Sequence, residues 1–398
     1  MDAIDRIMKT INHEEPDRVP SFELEIDNYK ICHHFEEEYV YQGIAKSVKD
    51  TYNLMKGDTI ELSKTLLRAT ETRGFLKNTV KRQFGVYAKI GIDAFAVPLT
   101  GYVFMPTSFD QTSFSDEYGR NFDLKQNPDD GMDLFYYRDG KFSSFEEYDA
   151  ALKPDPDNPR REKYFKAIKK GELDYDGKVY AAPALWSLFE ATWQAFGFTT
   201  FSKLLIRSSE IKKVFDERGK FLVEVLKRYI EWGESNLVFL FDDFGYKTGL
   251  LISPGHYKKY VIPWINELCK VAHKAGVKVI LHSCGDISKL FTELMNAGID
   301  GFHPIEPTTT NPEYNIFKLK EKHGDKITLI GNVSPQDLAT ESPEFIRNYT
   351  IKLIKELAPG GGYMLSSGHS INPEVTLENF LAMHDTLKKY GKYPIKVE

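Results

Sequence analysis

The second half of the chain alternates short apolar runs with longer segments of helical period. The apolar runs have the length of buried strands and occupy residues 237–241, 277–281, 301–303, 327–330 and 363–365. The segments predicted as helices occupy residues 255–275, 287–296, 315–323, 344–356 and 377–390. Strands that are separated by helices pair in parallel through right-handed crossovers. This alternation therefore predicts an α/β fold built on a parallel sheet.

The first half adds three more predicted strands, at residues 19–24, 94–97 and 179–183, which brings the total to eight. Eight β/α units are typical of a single (β/α)8 TIM barrel. We predict one such domain over residues 1–398, with an N-terminal helical extension. Long insertions are expected after strands one and two, at about residues 26–75 and 100–178. An open doubly wound sheet is the alternative, but no glycine-rich phosphate-binding turn follows any predicted strand.

Composition excludes several classes of partner. The chain has 398 residues, a net charge of -6 and no basic tract, so we expect no nucleic-acid partner. No apolar run approaches the length of a membrane span, and the N-terminal segment lacks the apolar core of a signal peptide. Three cysteines are too few for a disulfide framework. These features together predict a cytoplasmic protein with no membrane partner.

Polar residues gather where the predicted strands end, which is the pole at which barrel enzymes carry their sites. Glu25, Glu190 and Asp243 are the carboxylates that we expect to act as acid or base. Residues predicted to contact a cofactor also follow strand ends: Tyr246, Lys247 and Asn332. Asp242, beside Asp243, is equally compatible with capping a helix. Each position alone is a weak indication, and their convergence favours a site.

The sequence His282-Ser283-Cys284 ends the strand predicted at residues 277–281. Residues i and i+2 of an extended chain point to the same side, so His282 and Cys284 can project together. A histidine and a cysteine so placed are suitable zinc ligands, and Glu306 and His369 follow neighbouring strands as the natural further ligands. His303 is a competitor for the same role. The alternative is a hydrogen-bonded core histidine beside an inert cysteine.

Several segments resemble the uroporphyrinogen decarboxylase superfamily. They include NHEEPDRVP near the N-terminus, DDFGYKTGLLISPGHY, LHSCGD, GIDGFHPIEP, LIGNVSP and the C-terminal GGYMLSSGHSINPEVTLENFLAMHD. The resemblance implies a (β/α)8 barrel with its site at the C-terminal mouth. One branch of the superfamily decarboxylates a porphyrinogen without a cofactor. Another branch contains zinc-dependent methyltransferases that work with a corrinoid carried by a separate protein.

The methyltransferase branch fits this sequence better. The decarboxylases carry an arginine-rich segment after strand one, whereas this chain has the acidic SFELEIDNYK there, and it has VPLTGY where they have an aspartate. Only the segment Gly368-His369-Ser370-Ile371 favours the decarboxylases. The methyltransferase pattern of His-x-Cys followed by an acidic residue is matched by His282, Cys284 and Glu306. His369 stands where that pattern usually has a third, cysteine ligand.

These patterns lead to one functional hypothesis. It is a zinc-dependent methyltransferase that exchanges a methyl group between a small substrate and the corrinoid (cobalamin) of a partner protein. The substrate could be a methyl ether, including a methoxyaromatic, or a methylamine or thiol. One alternative is a metal-free decarboxylase like uroporphyrinogen decarboxylase. The other is a non-catalytic barrel that binds a ligand.

Overall fold

The structure is a computed structural model that describes residues 1–35, 37, 50–55, 58–70, 72–98, 106–110, 112–126, 133–186, 188–233 and 236–396. Its strands, in chain order, are β1 (Ala94–Pro98), β2 (Pro106–Phe109), β3 (Ser113–Asp116), β4 (Arg120–Gln126), β5 (Asp133–Gly140), β6 (Tyr180–Trp186), β7 (Leu237–Phe241), β8 (Gly245–Tyr246), β9 (Gly249–Leu250), β10 (Lys278–His282), β11 (Gly301–His303), β12 (Thr328–Ile330) and β13 (Tyr363–Met364). Seven of them form one sheet in the order β1-β6-β7-β10-β11-β12-β13, and every pair in it is parallel. The parallel α/β architecture predicted from the sequence is therefore confirmed.

The helices lie before, between and after the strands of this sheet. They are α1 (Ala3–Ile11), α2 (Tyr29–His34), α3 (Thr59–Thr70), α4 (Arg73–Ile90), α5 (Phe145–Ala150), α6 (Pro159–Asp174), α7 (Phe189–Phe196), α8 (Phe198–Leu205), α9 (Ser208–Trp232), α10 (Pro254–His256), α11 (Ile262–Lys274), α12 (Phe291–Ala297), α13 (Ile316–His323), α14 (Pro335–Thr340), α15 (Pro343–Leu357) and α16 (Leu377–Tyr390). None of these described helices combines the length and apolar character needed to cross a membrane.

The segment at residues 20–23 joins the two edges of the parallel sheet. The backbone N–H of Phe22 donates to the carbonyl of Leu365, beyond β13, at 2.9 Å. On the other side, the N–H of Glu23 donates to the carbonyl of Ala94 in β1 at 3.1 Å. Isolated parallel bridges link Ser21 to Leu365 and Phe22 to Ala94. The sheet therefore curls into a barrel-like fold, and the predicted first strand lies between β13 and β1.

A buried ion cluster fixes this closing segment. The Asp93 carboxylate accepts hydrogen bonds from the Ser21 N–H at 2.8 Å, from Arg6 at 2.6 Å, and from both terminal nitrogens of Arg18 at 2.7 Å each. Arg6 also bonds Asp17. Because the Ser21 N–H is used by Asp93, it is not available for a regular ladder. This explains why the first strand consists of isolated bridges.

Alternate residues of each central strand face the barrel interior. Phe239, Phe241 and Ile280 belong to the inner apolar cluster, whereas Val238 and Val279 pack in the outer cluster between sheet and helices. This period of two puts His282, two residues after Ile280, on the inner side. The last residue of β10 therefore projects into the barrel at the end where the strands stop.

The helix predicted at residues 255–275 is not a regular α-helix in its first part. It comprises α10, a π-helical turn at Tyr257–Val261, and α11. Pro263 has no N–H to donate within a regular helix, and the wider turn directly precedes it. The other predicted helices of the second half agree within a few residues, and the predicted span 377–390 coincides with α16.

The second insertion contains an antiparallel sheet of its own, in the order β2-β3-β4-β5. Gln194 of α7 anchors this sheet to the barrel, because its side-chain oxygen accepts from Arg120 at 3.1 Å and its carbonyl accepts from the Tyr137 hydroxyl at 2.7 Å. The predicted polar end of strand two, at residues 99–102, lies outside the described residues.

Candidate metal site and pocket

Three residues from different strand ends bring potential metal ligands together. One ligand atom each from His282, Cys284 and His369 lie within 4.8 Å of one another. The Cys284 Sγ and the His282 Nε2 are 3.7 Å apart. Zinc bonds of about 2.3 Å to sulfur and 2.0 Å to nitrogen, at a tetrahedral angle, would separate the two ligand atoms by about 3.5 Å. The residues therefore fit a zinc ion in their donor types and in this spacing.

Burial sets the protonation of His282. Its side chain is 6% exposed, and desolvation lowers the pKa of its imidazole to about 4, although the nearby Asp243 carboxylate opposes this shift. The Asp243 Oδ1 lies 3.7 Å from the His282 Nε2. A neutral imidazole is the form that binds a metal. His282 is therefore in its ligand form at neutral pH without any metal present.

Cys284 lies on a tight turn that needs a glycine. Its backbone N–H donates to Asp243 Oδ1 at 2.8 Å. Gly285 has a φ of +80°, and a Cβ added there would lie 2.3 Å from the carbonyl carbon of Gly245. The turn thus packs directly on the β8–β9 hairpin. Burial, together with the nearby carboxylates of Asp243 and Glu306, raises the pKa of the Cys284 thiol well above its usual value.

His303 points into the barrel beside His282. The two residues are register partners in β10 and β11, so they face the same side of the sheet. Their Nδ1 atoms are 2.7 Å apart, and the Nε2 of His303 lies 3.1 Å from the Ser366 hydroxyl. Burial lowers the pKa of His303 well below its usual value. Because both ring nitrogens have partners, His303 is a neighbour of the ligand group and not one of its members.

The other predicted site residues lie outside this group. Glu306 accepts hydrogen bonds from Thr308, at 2.6 Å from its hydroxyl, and does not belong to the three-residue cluster. Asn332 is buried and bonds the Ile305 carbonyl and the Tyr349 hydroxyl. Tyr246 and Lys247 are exposed on the β8–β9 hairpin, whose backbone carries the contacts to residues 286 and 310.

A pocket of about 220 Å³ opens beside the ligand group. All three carboxylates predicted as acid or base line it: Glu25, Glu190 and Asp243. His282 and His369 line it as well. Its described aromatic lining consists of Tyr87, Phe95, Trp186 and Phe241, and Arg82 is the one cationic side chain among the described lining residues. The structure therefore places acidic groups, aromatic rings and two of the three ligand residues around one cavity.

Glu190 holds a proton more tightly than an ordinary carboxyl group. Burial raises its pKa, and the neighbouring carboxylates of Asp243 and Asp242 raise it further. The Gln194 amide donates to Glu190 Oε1 at 2.8 Å. Gln194 is the residue that the antiparallel sheet contacts through Arg120, so the second insertion supports Glu190 indirectly.

Asp242 and Asp243 have different surroundings. Asp242 is buried and accepts the backbone N–H groups of Leu188, Phe189 and Glu190, which begin α7. It therefore caps that helix. Asp243 is 32% exposed and faces His282 and the pocket. The cap orients the helix that carries Glu190.

The fold and the site can be compared with known proteins. The family described as uroporphyrinogen decarboxylase (URO-D) matches residues 139–390. The chain belongs to the uroporphyrinogen decarboxylase family. A uroporphyrinogen decarboxylase from Vesicomyosocius okutanii is 25% identical over 214 residues, which cover 52% of this chain and 58% of that protein. The chain spans about half the length of several of the curated relatives that it matches.

Methyltransferases are also among the relatives of this family member. A methylated-thiol–coenzyme M methyltransferase from Methanosarcina mazei is 26% identical over 218 residues, covering 54% of this chain and 55% of that protein. A solved methyltransferase structure from Methanosarcina mazei superposes with a TM-score of 0.64 at 16% identity, over 98% of this chain and 99% of the other. The superfamily resemblance is confirmed; the sequence relative supports its methyltransferase branch, and the solved structure supports the fold.

Two features of the site were not predicted from the sequence. His303 was expected as a competing ligand, whereas it contacts His282 through hydrogen bonding. Arg82, a cationic residue of α4 that lines the pocket, was not among the predicted site residues. The signal for His303 was the register of β10 and β11, because equivalent positions in neighbouring parallel strands face the same side.

Proposed function

We propose that this protein is a zinc-dependent methyltransferase that exchanges a methyl group between a small substrate and the corrinoid of a partner protein. The observation that carries the proposal is the grouping of His282, Cys284 and His369 beside a pocket of about 220 Å³. A site with three protein ligands leaves the fourth zinc position for a substrate atom. Glu306 remains a predicted ligand, and Asp243, whose Oδ1 lies 3.7 Å from the His282 Nε2, is the alternative to it; with either one bound, the substrate atom would enter as a fifth ligand or displace that carboxylate.

A bound zinc would act here as a Lewis acid toward a sulfur, oxygen or nitrogen atom of the substrate. The protein's own residues supply the rest. The carboxyl group of Glu190, with its raised pKa, can donate a proton to the heteroatom that loses its methyl group. Asp243 orients the Cys284 turn through the backbone N–H. Glu25 reaches the same pocket and can accept or return a proton.

The pocket favours some substrates over others. In its described lining, two carboxylates, Glu25 and Asp243, outnumber the one cationic side chain, Arg82, while Glu190 holds its proton. This balance disfavours a polycarboxylate such as a porphyrinogen, because like charges repel it. Aromatic rings in the lining suit a methoxyaromatic compound or a methylamine, and a thiol is the class suggested by the name of the Methanosarcina relative. We propose a small methyl-bearing compound of one of these classes.

A corrinoid is too large for a pocket of this volume, so the proposal requires that a partner protein present it from outside. The gradient of exposure in the ligand group supports this: His282 is buried, Cys284 is half-buried and His369 is exposed. Predicted cofactor contacts from Tyr246, Lys247 and Asn332 stay part of the proposal, and the first two are exposed on the hairpin beside the Cys284 turn. All three cysteines are free, which supports the proposed cytoplasmic location.

Zinc content and methyl transfer test this proposal together. Purified protein should contain about one zinc per chain and should methylate cob(I)alamin from a panel of methyl ethers, methylamines and methylthiols. Cys284→Ser should reduce both zinc content and transfer. Cys269→Ser is the matched control, because Cys269 is buried within α11 and is not among the residues that line the pocket. Full transfer activity in zinc-free protein would refute the proposal.

Decarboxylation is the second candidate function, and the decarboxylases among the relatives favour it. It needs no metal. Release of carbon dioxide from an acid substrate by chelator-treated protein, without methyl transfer under any condition, would support it over the methyltransferase. If the wild-type protein, with His282 and Cys284 intact and zinc bound, shows neither activity, the non-catalytic barrel is favoured.

A further inference from the structure

We infer that His303 and Ser366 are positioning residues that hold His282 in the tautomer whose Nε2 lone pair faces Cys284. This inference rests on the proposed metal site, since its purpose is to present an unprotonated nitrogen to the metal. Neither residue touches the ligand atoms of Cys284 or His369. Both act through the Nδ1 side of the His282 ring.

The relay consists of three consecutive hydrogen bonds. His282 Nδ1 and His303 Nδ1 are 2.7 Å apart, and His303 Nε2 and the Ser366 Oγ are 3.1 Å apart. The Ser366 hydroxyl donates to the carbonyl of Ser367 at 2.9 Å. All of these groups are buried, with His303 at 1% and Ser366 at 0% exposure. The two rings are inclined by 30° with their centroids 4.9 Å apart, which is the separation of rings that meet edge to edge through this hydrogen bond.

Proton counting along the relay gives one direction. The hydroxyl of Ser366 has a single proton, and that proton is given to a carbonyl, which can only accept. Ser366 therefore accepts from His303, whose proton lies on Nε2. The Nδ1 of a neutral imidazole protonated at Nε2 is an acceptor. The short contact between the two Nδ1 atoms then requires that His282 donates from Nδ1.

The consequence appears on the opposite side of the His282 ring. With its proton on Nδ1, the imidazole presents a lone pair at Nε2, which lies 3.7 Å from the Cys284 Sγ. In the reverse direction, His282 Nε2 would carry a proton and point it at the metal position. A second hydrogen-bonding group on the far nitrogen commonly fixes the tautomer of a ligand histidine, and its loss lowers metal affinity about 10- to 100-fold.

Nitrogen NMR of the metal-free protein tests the tautomer directly. Protein labelled with ¹⁵N-histidine is recorded near neutral pH, and His282→Gln and His303→Phe assign the two rings. The expected result is a proton on Nδ1 of His282 and on Nε2 of His303. A proton on Nε2 of His282 would overturn the inference. Because no zinc is needed, this readout is independent of the proposed function.

Zinc affinity tests the consequence. We expect His303→Phe, which keeps a ring in place but offers no acceptor, to weaken zinc binding about 10- to 100-fold in competition with a chelator. Ser366→Ala should weaken it less and should produce a mixture of His282 tautomers. Thr328→Val is the control, because the Thr328 hydroxyl is buried in the neighbouring strand β12 without a partner.

The possible outcomes separate the two hypotheses. Wild-type affinity in a folded His303→Phe protein would refute the relay while leaving the zinc site intact. If wild-type protein binds no zinc, the proposed function fails, and the NMR result still decides the tautomer. If His303→Phe does not fold, Ser366→Ala tests the relay in its place: a mixture of His282 tautomers supports the relay, and the wild-type tautomer alone refutes it.

Discussion

Replacing Asp93 with asparagine should destabilise the protein far more than the same change at Asp17. Both carboxylates bond Arg6, at 2.6 Å for Asp93 and 2.7 Å for Asp17. Their exposure differs, because the Asp93 side chain is 1% exposed and the Asp17 side chain is 44% exposed. Asp93 also bonds Arg18 and the Ser21 N–H, so its loss leaves two guanidinium groups without their shared counter-charge.

The expected magnitudes follow from these contacts. Breaking a buried ion pair by removing one partner costs about 3 to 5 kcal/mol, and asparagine keeps the shape, so we expect about 3 kcal/mol for Asp93→Asn. An exposed pair contributes about 1 kcal/mol or less, which is the expectation for Asp17→Asn. The unfolding entropy of a chain of 398 residues is roughly 0.8 kcal/mol per degree. The melting temperature should therefore fall by about 4 °C for Asp93→Asn and by about 1 °C for Asp17→Asn.

Circular dichroism during heating measures both variants under the same conditions and scan rate. Urea midpoints provide a second estimate of the difference. Equal shifts in the two variants would refute the reasoning, because Asp93 differs from Asp17 both in its burial and in its additional bonds to Arg18 and Ser21. A shift below about 1 °C for Asp93→Asn would show that the cluster does not hold the closing segment.

The site yields three further predictions. Zinc binding should release about one proton at slightly alkaline pH, because the pKa of the Cys284 thiol is raised while His282 is already neutral. The affinity for zinc should therefore rise about tenfold per pH unit. Calorimetry in two buffers measures the proton release, and a zinc affinity that does not change with pH would contradict the prediction. Glu190→Gln should slow methyl transfer about 100-fold or more without changing zinc content. In the wild type, the rate should fall as the pH rises through the raised pKa of Glu190. A variant with the same rate and the same pH profile as the wild type would exclude Glu190 as the acid. Gly285→Ala should abolish zinc binding, because its Cβ would meet the backbone of Gly245. Gly276→Ala is the control: its φ is a similar +76° but the space around its Cβ is open, so it should keep zinc and should lower the free energy of unfolding in urea by only about 1 kcal/mol. Equal effects of the two variants would show that the contact with Gly245 is unimportant.

Much of the parallel sheet could be predicted because each central strand is a short apolar run between helices. Leu237–Phe241 and Gly301–His303 were predicted with the bounds that the structure has. The antiparallel sheet of the second insertion was not predicted as a sheet. Its strands, such as Arg120–Gln126, are partly polar, and their pairing depends on contacts with α7 that no local pattern reveals.

The site shows the same limit at the level of side chains. The His282 and Cys284 pair could be recognised because residues two apart in a strand face one side. His303 could not be assigned, since its role depends on the register between β10 and β11 and on a hydroxyl from the segment after β13. The hydrogen bonds of Asn332 to the Ile305 carbonyl and the Tyr349 hydroxyl could not be predicted either, because no local pattern indicates those partners.

The closing segment also constrains the order in which the chain can fold. Glu23 receives hydrogen bonds from Ser367, at a separation of 344 residues. At about 5 to 20 residues per second, synthesis leaves roughly 20 to 70 s between these two parts of the chain. The bond between Ser21 and Asp93 can form sooner, since these residues are only 72 positions apart. The buried ion cluster can therefore hold the closing segment against β1 early in synthesis. This covers a strand edge that would otherwise be open to pairing with other chains.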